Sequence, residues 1–138
     1  YAGLVQYTQY SFLVQDIWRE VFSKFFRENG EEALDHAHRV GDKIVSLGGV
    51  PTVERGEVKV TTDLQEMLEN SLAVESKQAQ LYAEALELCG ERDVALRVML
   101  EDIGAEEQEG AENLEKLLKR RDLAIGGQAA KKSHAKVG

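Results

Sequence analysis

The chain has a single cysteine and a single proline, and both scarcities restrict what it can be. Cys89 cannot form an internal disulfide, which fits a reducing compartment and predicts a cytoplasmic protein. One proline leaves long stretches of the 138 residues free to be helical. No apolar run reaches the roughly 18 residues of a membrane span, and no signal peptide is visible.

Positive charge is also scarce. The 17 Lys and Arg residues are outnumbered by 25 Asp and Glu residues, so the net charge is -8. This balance argues against nucleic acid as a partner, and it favours either cation binding or simple solubility. The length and the 43% apolar content fit one domain with a substantial core.

Apolar residues at helical spacing predict four helices and no strand-rich segment. The chain opens at Tyr1 already in helical phase, which suggests that a segment precedes it. Asn29-Gly30 ends the first predicted helix because both residues tolerate positive φ. Thr62 opens the third, with Gln65 three residues later as in a capping box. The predicted helices cover residues 2–28, 31–47, 62–90 and 93–121.

The connector over residues 48–61 is long enough to run the length of such a bundle. At about 3.3 Å per residue it spans roughly 45 Å, which exceeds the length of the helix that it must pass. Short connections make helices one and two antiparallel neighbours, and likewise three and four. The sequence therefore predicts an all-α four-helix bundle over residues 1–121, with the crossover between helices two and three that ferritin-like folds have. Residues 122–138 are predicted to form a flexible tail.

Three polar residues fall on the inward faces of these helices. Glu75 and Glu107 keep the spacing of their apolar stripes, and His36 lies on the second helix. Buried carboxylates are costly unless they are paired or bind a cation, and carboxylate with imidazole suits Fe or Mn. In the opposing interpretation the acids are solvated at the stripe edge and the histidine is hydrogen bonded between helices. Spacing alone favours that second interpretation.

A resemblance to a known family favours the metal site over solvated acids. The segment GEVKVTTDLQEMLENSLAVE at 56–75 closely resembles the crossover and third-helix start of bacterioferritins. The pattern HA-x6-I-x2-LGG-x-P at 36–51 resembles the end of their second helix, and Gln6-Tyr7 resembles the Gln-Tyr of their first. The resemblance covers roughly residues 1–120. It implies a ferritin-like di-iron carboxylate protein that oxidises Fe(II), stores ferric iron and assembles as a homo-oligomer, from dimers into a hollow cage.

Carried over residue by residue, the resemblance gives an incomplete di-iron site. His36, Glu75 and Glu107 match three of the family's six ligands. The second-helix Glu of the family falls on Ala33, and the fourth-helix His falls on Gly110. The first-helix Glu falls one position before the first residue of this chain.

Substitute ligands lie next to the altered positions. Glu32 is four residues before His36 and shares its helix face, so we expect Glu32 to replace the missing acid. Asp35 is an alternative with poorer direction, and Glu106 and Glu109 flank the fourth-helix motif.

Three further expectations follow from the resemblance. Tyr7 matches the family's tyrosine near the metal centre and is expected to donate an electron, with core packing as the alternative. Haem is not expected, because the family's haem-binding methionine position is Leu34 here. The tail sequence RDLAIGGQ resembles tags by which some ferritin-like proteins enter protein shells, although a disordered tail is favoured.

Three functions stay open. The first is a bacterioferritin-like iron-binding and iron-storage protein with ferroxidase activity at the atypical site. The second is a degenerate ferritin-like structural subunit without catalysis, which Ala33 and Gly110 favour. The third is a di-metal enzyme acting on an organic substrate or a peroxide, with a pocket enlarged at the same two positions.

Overall fold

The computed structural model describes the backbone of residues 1–134 and the side chains of residues 1–119. Among residues 1–134 all regular structure is helical, and the predicted all-α class is confirmed. None of the helices among the described residues is both long and apolar enough to cross a membrane. The α-helices are Ala2–Leu13 (α1), Arg19–Ser46 (α2), Leu64–Cys89 (α3) and Val94–His134 (α4), and a 3₁₀ turn, Asp16–Trp18, precedes α2.

The predicted first helix over residues 2–28 is wrong, because the chain reverses between Leu13 and Arg19. Val14 leaves the helix with ψ 131°, and Asp16 takes a φ of 66°. Aspartate is one of the few residues besides glycine that adopts this left-handed conformation. The Arg19 guanidinium donates a hydrogen bond to the Val14 carbonyl at 2.6 Å and helps to close the turn.

Gly30 lies inside α2, so the predicted break there does not occur. A Cβ at this position would lie 3.6 Å from Tyr7 Cβ and 3.5 Å from Thr8 Oγ1. At the other end of α1, a Cβ on Gly3 would lie 4.0 Å from Ala33 Cβ. These two approaches show that α1 packs antiparallel against α2.

A long crossover joins α2 to α3, as predicted, and it is held against α1. The Lys59 N–H donates to Gln6 Oε1 at 3.1 Å, and the Tyr10 hydroxyl donates to the Lys59 carbonyl at 2.6 Å. Buried side chains of α1 thus satisfy both backbone groups of one crossover residue. The crossover and α1 are fixed relative to each other by these contacts.

The N-cap of α3 lies one residue later than the predicted Thr62. Asp63 is the N-cap, and its carboxylate accepts a hydrogen bond from the Glu66 N–H at 2.9 Å. Asp63 thus caps the helix one position later than predicted, while the Glu66 carboxylate accepts a hydrogen bond from the Thr61 hydroxyl.

A buried core fills the bundle between the first turn and the polar centre. Tyr10 and Phe26 pack edge to face in it, with ring centroids 5.5 Å apart. Tyr7 belongs to this core and also reaches the polar centre, so the apolar packing positions one of the site residues. The fully buried members are Tyr7, Tyr10, Val14, Phe26, Met67, Leu68 and Leu114.

The last helix is longer than the sequence predicted. Instead of ending near residue 121, α4 continues to His134. Whether residues 122–138 form a flexible tail stays a prediction. The last four of these residues lie outside the part of the chain that the structure describes.

Candidate metal centre

All five site residues predicted from the sequence meet around one small cavity. Its volume is about 10 Å³, and its lining includes Tyr7 from α1, Glu32 and His36 from α2, Glu75 from α3 and Glu107 from α4. A volume of about 10–15 Å³ is the lower limit for one water molecule, so the cavity has room for a single small species.

Helical spacing explains why two acids lie inside. The buried positions of α3 include Met67 and Ser71 at four-residue intervals, and Glu75 is the next in that row. In α4, Glu107 lies in the row that runs from Ile103 to Ala111. The two glutamates are only 8% and 4% exposed. Their burial requires compensation by protons, hydrogen bonds or a cation.

His36 lies between two carboxylates. Its Nδ1 is 2.6 Å from Glu107 Oε1, and its Nε2 is 2.6 Å from Glu106 Oε2. A neutral imidazole has only one N–H, so two ionised carboxylates both receive a hydrogen bond only when both ring nitrogens carry a proton. Burial alone lowers the pKa of His36, but the hydrogen bonds to Glu107 and Glu106 outweigh burial and raise the pKa to about 9.

Glu75 is paired with a phenol. The Tyr7 hydroxyl donates a hydrogen bond to Glu75 Oε1. Burial raises the pKa of Glu75, and the nearby Glu107 raises it further. Burial and the charge of Glu75 also raise the pKa of Tyr7, so Tyr7 stays a protonated donor. The inner part of the site therefore holds protons when no metal is bound.

Gly110 provides space for Glu75. A Cβ at position 110 would lie 2.9 Å from Oε2 and 3.3 Å from Cδ of Glu75, closer than real Cβ contacts allow. The carboxylate of Glu75 is therefore a close neighbour of this glycine. A mid-helix glycine costs about 1 kcal/mol relative to alanine. At position 110 this cost has a local structural reason, because a larger residue would collide with the Glu75 carboxylate.

Glu32 and Glu106 flank His36 from two helices. One ligand atom of each of these three residues lies within 4.8 Å of the others, a spacing that could hold a metal ion. Asp35 instead lies 3.9 Å from Arg39 and does not line the cavity. Burial raises the pKa of Glu32, and its acidic neighbours add to this while the charge of His36 opposes it.

Glu106, predicted only to flank the fourth-helix motif, contacts His36. Its contact with His36 joins α2 to α4, and within-helix spacing carries no signal for such a contact. The other carboxylate oxygen of Glu106 lies 3.7 Å from the Arg39 guanidinium, which also approaches Asp102 at 4.0 Å. Glu106 thus has Oε1 toward Arg39 and Oε2 toward His36.

The donor set fits a divalent metal of the iron or manganese type. Two carboxylates contact the His36 imidazole, a third lies within 4.8 Å of it, and a fourth lines the same cavity. Oxygen with imidazole nitrogen is the combination that such ions take. A cation would take over the compensation that protons provide in the metal-free site. The acids are Glu32, Glu75, Glu106 and Glu107.

A four-helix bundle with a long crossover and carboxylates with histidine at its centre defines the class of ferritin-like carboxylate proteins. The family model described as the ferritin-like domain matches residues 1–124. The chain belongs to the ferritin-like family.

Its relatives include bacterioferritins. The bacterioferritin of Mycobacterium bovis is 31% identical over 114 residues, which is 79% of this chain and 70% of the relative. A nutrient stress-induced DNA-binding protein of a Nostoc species is 27% identical, over 91% of this chain and 74% of the relative. The crystal structure of a ferritin-like diiron-carboxylate protein from Bacillus anthracis superposes with a TM-score of 0.82 and 32% identity, covering 86% of both chains.

Proposed function

We propose that the chain is a bacterioferritin-like protein that binds Fe(II), oxidises it and stores the ferric product. The observation that carries this proposal is the convergence of site residues from four helices on a cavity for one small species. Iron is the substrate and cargo of this activity, and dimers that build a hollow cage are the assembly we propose. The bacterioferritin relatives support the same assignment.

The metal ligands in this proposal are His36, Glu75, Glu107 and Glu32. Binding of Fe(II) displaces the protons that His36 and Glu75 hold in the metal-free site, so the carboxylates are free to ligate the ion. Oxygen or peroxide from solution accepts the electrons of Fe(II). Tyr7 is positioned beside this centre to supply a further electron, because Glu75 can take the proton of its hydroxyl.

Other properties are proposed from composition and surface. Phe12, Ile17 and Val21 are largely exposed in the single chain, and burial of such residues between copies supports a homo-oligomer.

The net charge of -8 argues against nucleic acid as a partner of this chain, in contrast to the name of its Nostoc relative. Leu34 at the haem-binding position supports a protein without haem, and a single cysteine supports a cytoplasmic location.

A structural subunit without catalysis is the second candidate. The observation that favours it is that the polar groups are satisfied without metal. His36 has a carboxylate at each ring nitrogen, and Glu75 fills the space beside Gly110. In this alternative the cluster is a proton-holding remnant that stabilises a cage wall.

A di-metal enzyme with an enlarged pocket is the third candidate. A cavity of about 210 Å³ includes Ala33 and His36 in its lining, which is space that a small organic substrate could use. Gly110 adds no space to it, because Glu75 occupies that position.

Anaerobic Fe(II) titration of the metal-free protein, followed by oxygen, tests the proposal. We expect saturable binding and a near-ultraviolet ferric absorbance that develops faster than in buffer. Glu75→Ala should lose the fast phase, while Glu115→Ala, an exposed acid on the same helix as Glu107, should keep it. Oxidation at the buffer rate in the unaltered protein would favour the structural subunit.

A further inference from the structure

Arg39 lies between three acids from two helices, beside the metal centre. Its Nη1 is 3.7 Å from Glu106 Oε1 and 3.9 Å from Asp35 Oδ2, and its Nη2 is 4.0 Å from Asp102 Oδ2. Asp35 precedes Arg39 by one turn of α2, and Asp102 precedes Glu106 by one turn of α4. Arg39 therefore has two alternative partners within reach if it leaves Glu106.

The Arg39 guanidinium is held loosely. All three distances exceed the roughly 2.7–3.2 Å of an N–H···O hydrogen bond, and the side chain of Arg39 is 32% exposed. The side chains of Glu106, Asp102 and Asp35 are more exposed still. Ion pairs of this kind each contribute little to stability, so exchanging one of them for the other two costs little.

Glu106 connects Arg39 to the metal centre. Its Oε1 faces Arg39, while its Oε2 is 2.6 Å from Nε2 of His36. The His36 side chain is 6% exposed and that of Glu106 is 41% exposed, so Glu106 covers His36 on the solvent side. A divalent cation that approaches from this side meets the Glu106 carboxylate and, next to it, the positive charge of Arg39. Arg39 and the cation compete for the same negative charge.

We propose that Arg39 is a displaceable positive charge at the mouth of the metal centre. It neutralises Glu106 in the metal-free protein, and it moves to Asp35 and Asp102 when a divalent cation enters. Arg39 is thus a positioning residue that lowers the affinity of the centre for divalent cations. This inference rests on the proposed function because it requires that the centre binds a cation, but it does not require that the cation is oxidised.

Anaerobic titration with Co²⁺ tests this inference, because Co²⁺ is not oxidised and its visible absorption reports binding. The metal-free full chain is compared with its single variants at position 39. The Arg39→Gln protein should bind Co²⁺ about three- to tenfold more tightly, because one positive charge near the cation is removed. The Arg39→Lys protein should bind like the unaltered protein, since the charge is kept and no contact here needs the planar guanidinium.

Arg97→Gln is the matched control. Arg97 is 35% exposed and lies 3.7 Å from Glu101 on its own helix, so it loses the same kind of ion pair. It precedes Glu107 by ten residues of α4, which is about 15 Å along the helix. Its loss should leave the affinity for Co²⁺ unchanged within about twofold.

A double-mutant cycle tests the exchange of partners. Asp35→Asn with Asp102→Asn removes both alternative partners of Arg39, and this should weaken Co²⁺ binding while Arg39 is present. The same two changes should weaken binding less in the Arg39→Gln protein, because no displaced guanidinium then needs a new partner. Equal losses in the two backgrounds would mean that Arg39 does not move to these acids, and would overturn the exchange.

The outcomes separate this inference from the proposed function. If Arg39→Gln binds Co²⁺ more weakly than the unaltered protein or equally well, Arg39 does not oppose the cation and the inference is wrong, while the proposed function stands. If the unaltered protein binds neither Co²⁺ nor Fe(II) saturably, both are wrong. If the variants behave as expected but Fe(II) is oxidised no faster than in buffer, only the proposed function fails.

A crystal structure of the unaltered protein with Co²⁺ gives an independent answer, which does not depend on how a variant folds. The inference expects the Arg39 guanidinium closer to Asp35 and Asp102 than to Glu106. A guanidinium that stays against Glu106 with the cation bound would overturn it.

Discussion

Gly110 and Glu75 fit together so closely that a methyl group at position 110 would lie 2.9 Å from the Glu75 carboxylate. We predict that Gly110→Ala lowers the free energy of unfolding of the metal-free protein by up to about 2 kcal/mol. The helix gains about 1 kcal/mol from alanine, but overpacking a buried site costs about 1–3 kcal/mol, and Glu75 is held in place by Tyr7. Urea unfolding measures the difference.

Gly41→Ala is the matched control for this change. It lies inside α2, and a Cβ there would meet only Pro51 Cγ at an ordinary 3.9 Å. This variant should gain up to about 1 kcal/mol from helix propensity alone. An equal gain in Gly110→Ala would mean that Glu75 moves aside freely, and that the glycine is not needed for its position.

The sequence predicts which residues share a helix face, but it does not predict which residues meet between helices. Periodicity put Glu75 and Glu107 on the inward faces of their helices, because both continue rows of buried residues. Spacing alone nevertheless favoured solvated acids at the stripe edge, and the structure shows that both are buried. Periodicity gave no information on what lies across from Gly110, since that depends on the packing of α3 against α4. For the same reason the contact between His36 and Glu106 could not be predicted.

The first turn was missed for a different reason. Residues on both sides of it are apolar at helical spacing, and no glycine or proline marks it. The reversal depends on the left-handed conformation of Asp16 and on the Arg19 contact to Val14, and neither is visible as a pattern. Asn29-Gly30 was the stronger turn signal, but Gly30 lies inside α2.

We predict that Tyr7→Phe destabilises the metal-free protein by about 1–3 kcal/mol, because the buried Glu75 loses its hydroxyl donor. Tyr7 also lowers the pKa of Glu75 through this hydrogen bond, so the variant should hold the Glu75 proton more tightly and bind Fe(II) more weakly. Tyr10→Phe is the control, because the Tyr10 hydroxyl bonds the crossover away from the site. Urea unfolding and Fe(II) titration measure the two effects.

Rates of iron oxidation separate the two roles considered for Tyr7. If the phenol donates an electron, Tyr7→Phe at saturating Fe(II) should still change the oxidation time course. A time course like that of the unaltered protein would assign Tyr7 to core packing and to holding Glu75.

Stability of the metal-free protein should fall as pH rises. The folded-state pKa of His36 is about 9, above its ordinary value of 6.5, so the folded state binds this proton more tightly than the unfolded state does. The contribution of His36 is therefore fully present below pH 6.5 and is lost as pH rises through about 9. The raised pKa of Glu75 acts in the same direction.

Urea unfolding at several pH values in a chelating buffer measures this dependence, and we expect a loss of about 1–3 kcal/mol between neutral and alkaline pH. His36→Gln should flatten the profile, while His38→Gln should not. A stability that rises with pH over this range would contradict the charged state that we assign to His36.

Restoring both ligands that the resemblance places here should raise the rate of Fe(II) oxidation. Ala33 lines the cavity, so Ala33→Glu adds a carboxylate where one is missing. Gly110→His alone should lower stability, because its Cβ collides with Glu75, but a bound cation gives the displaced Glu75 a new partner. We therefore expect the double variant to oxidise Fe(II) faster than the unaltered protein, and to recover in the presence of metal the stability that it loses without it.

Gly41→His with Ala33→Glu is the control for an added imidazole elsewhere in the bundle. If the double variant oxidises Fe(II) no faster than the unaltered protein, iron does not react at the cavity that Ala33 lines. A gain equal to that of the control would mean that only the carboxylate at position 33 contributes.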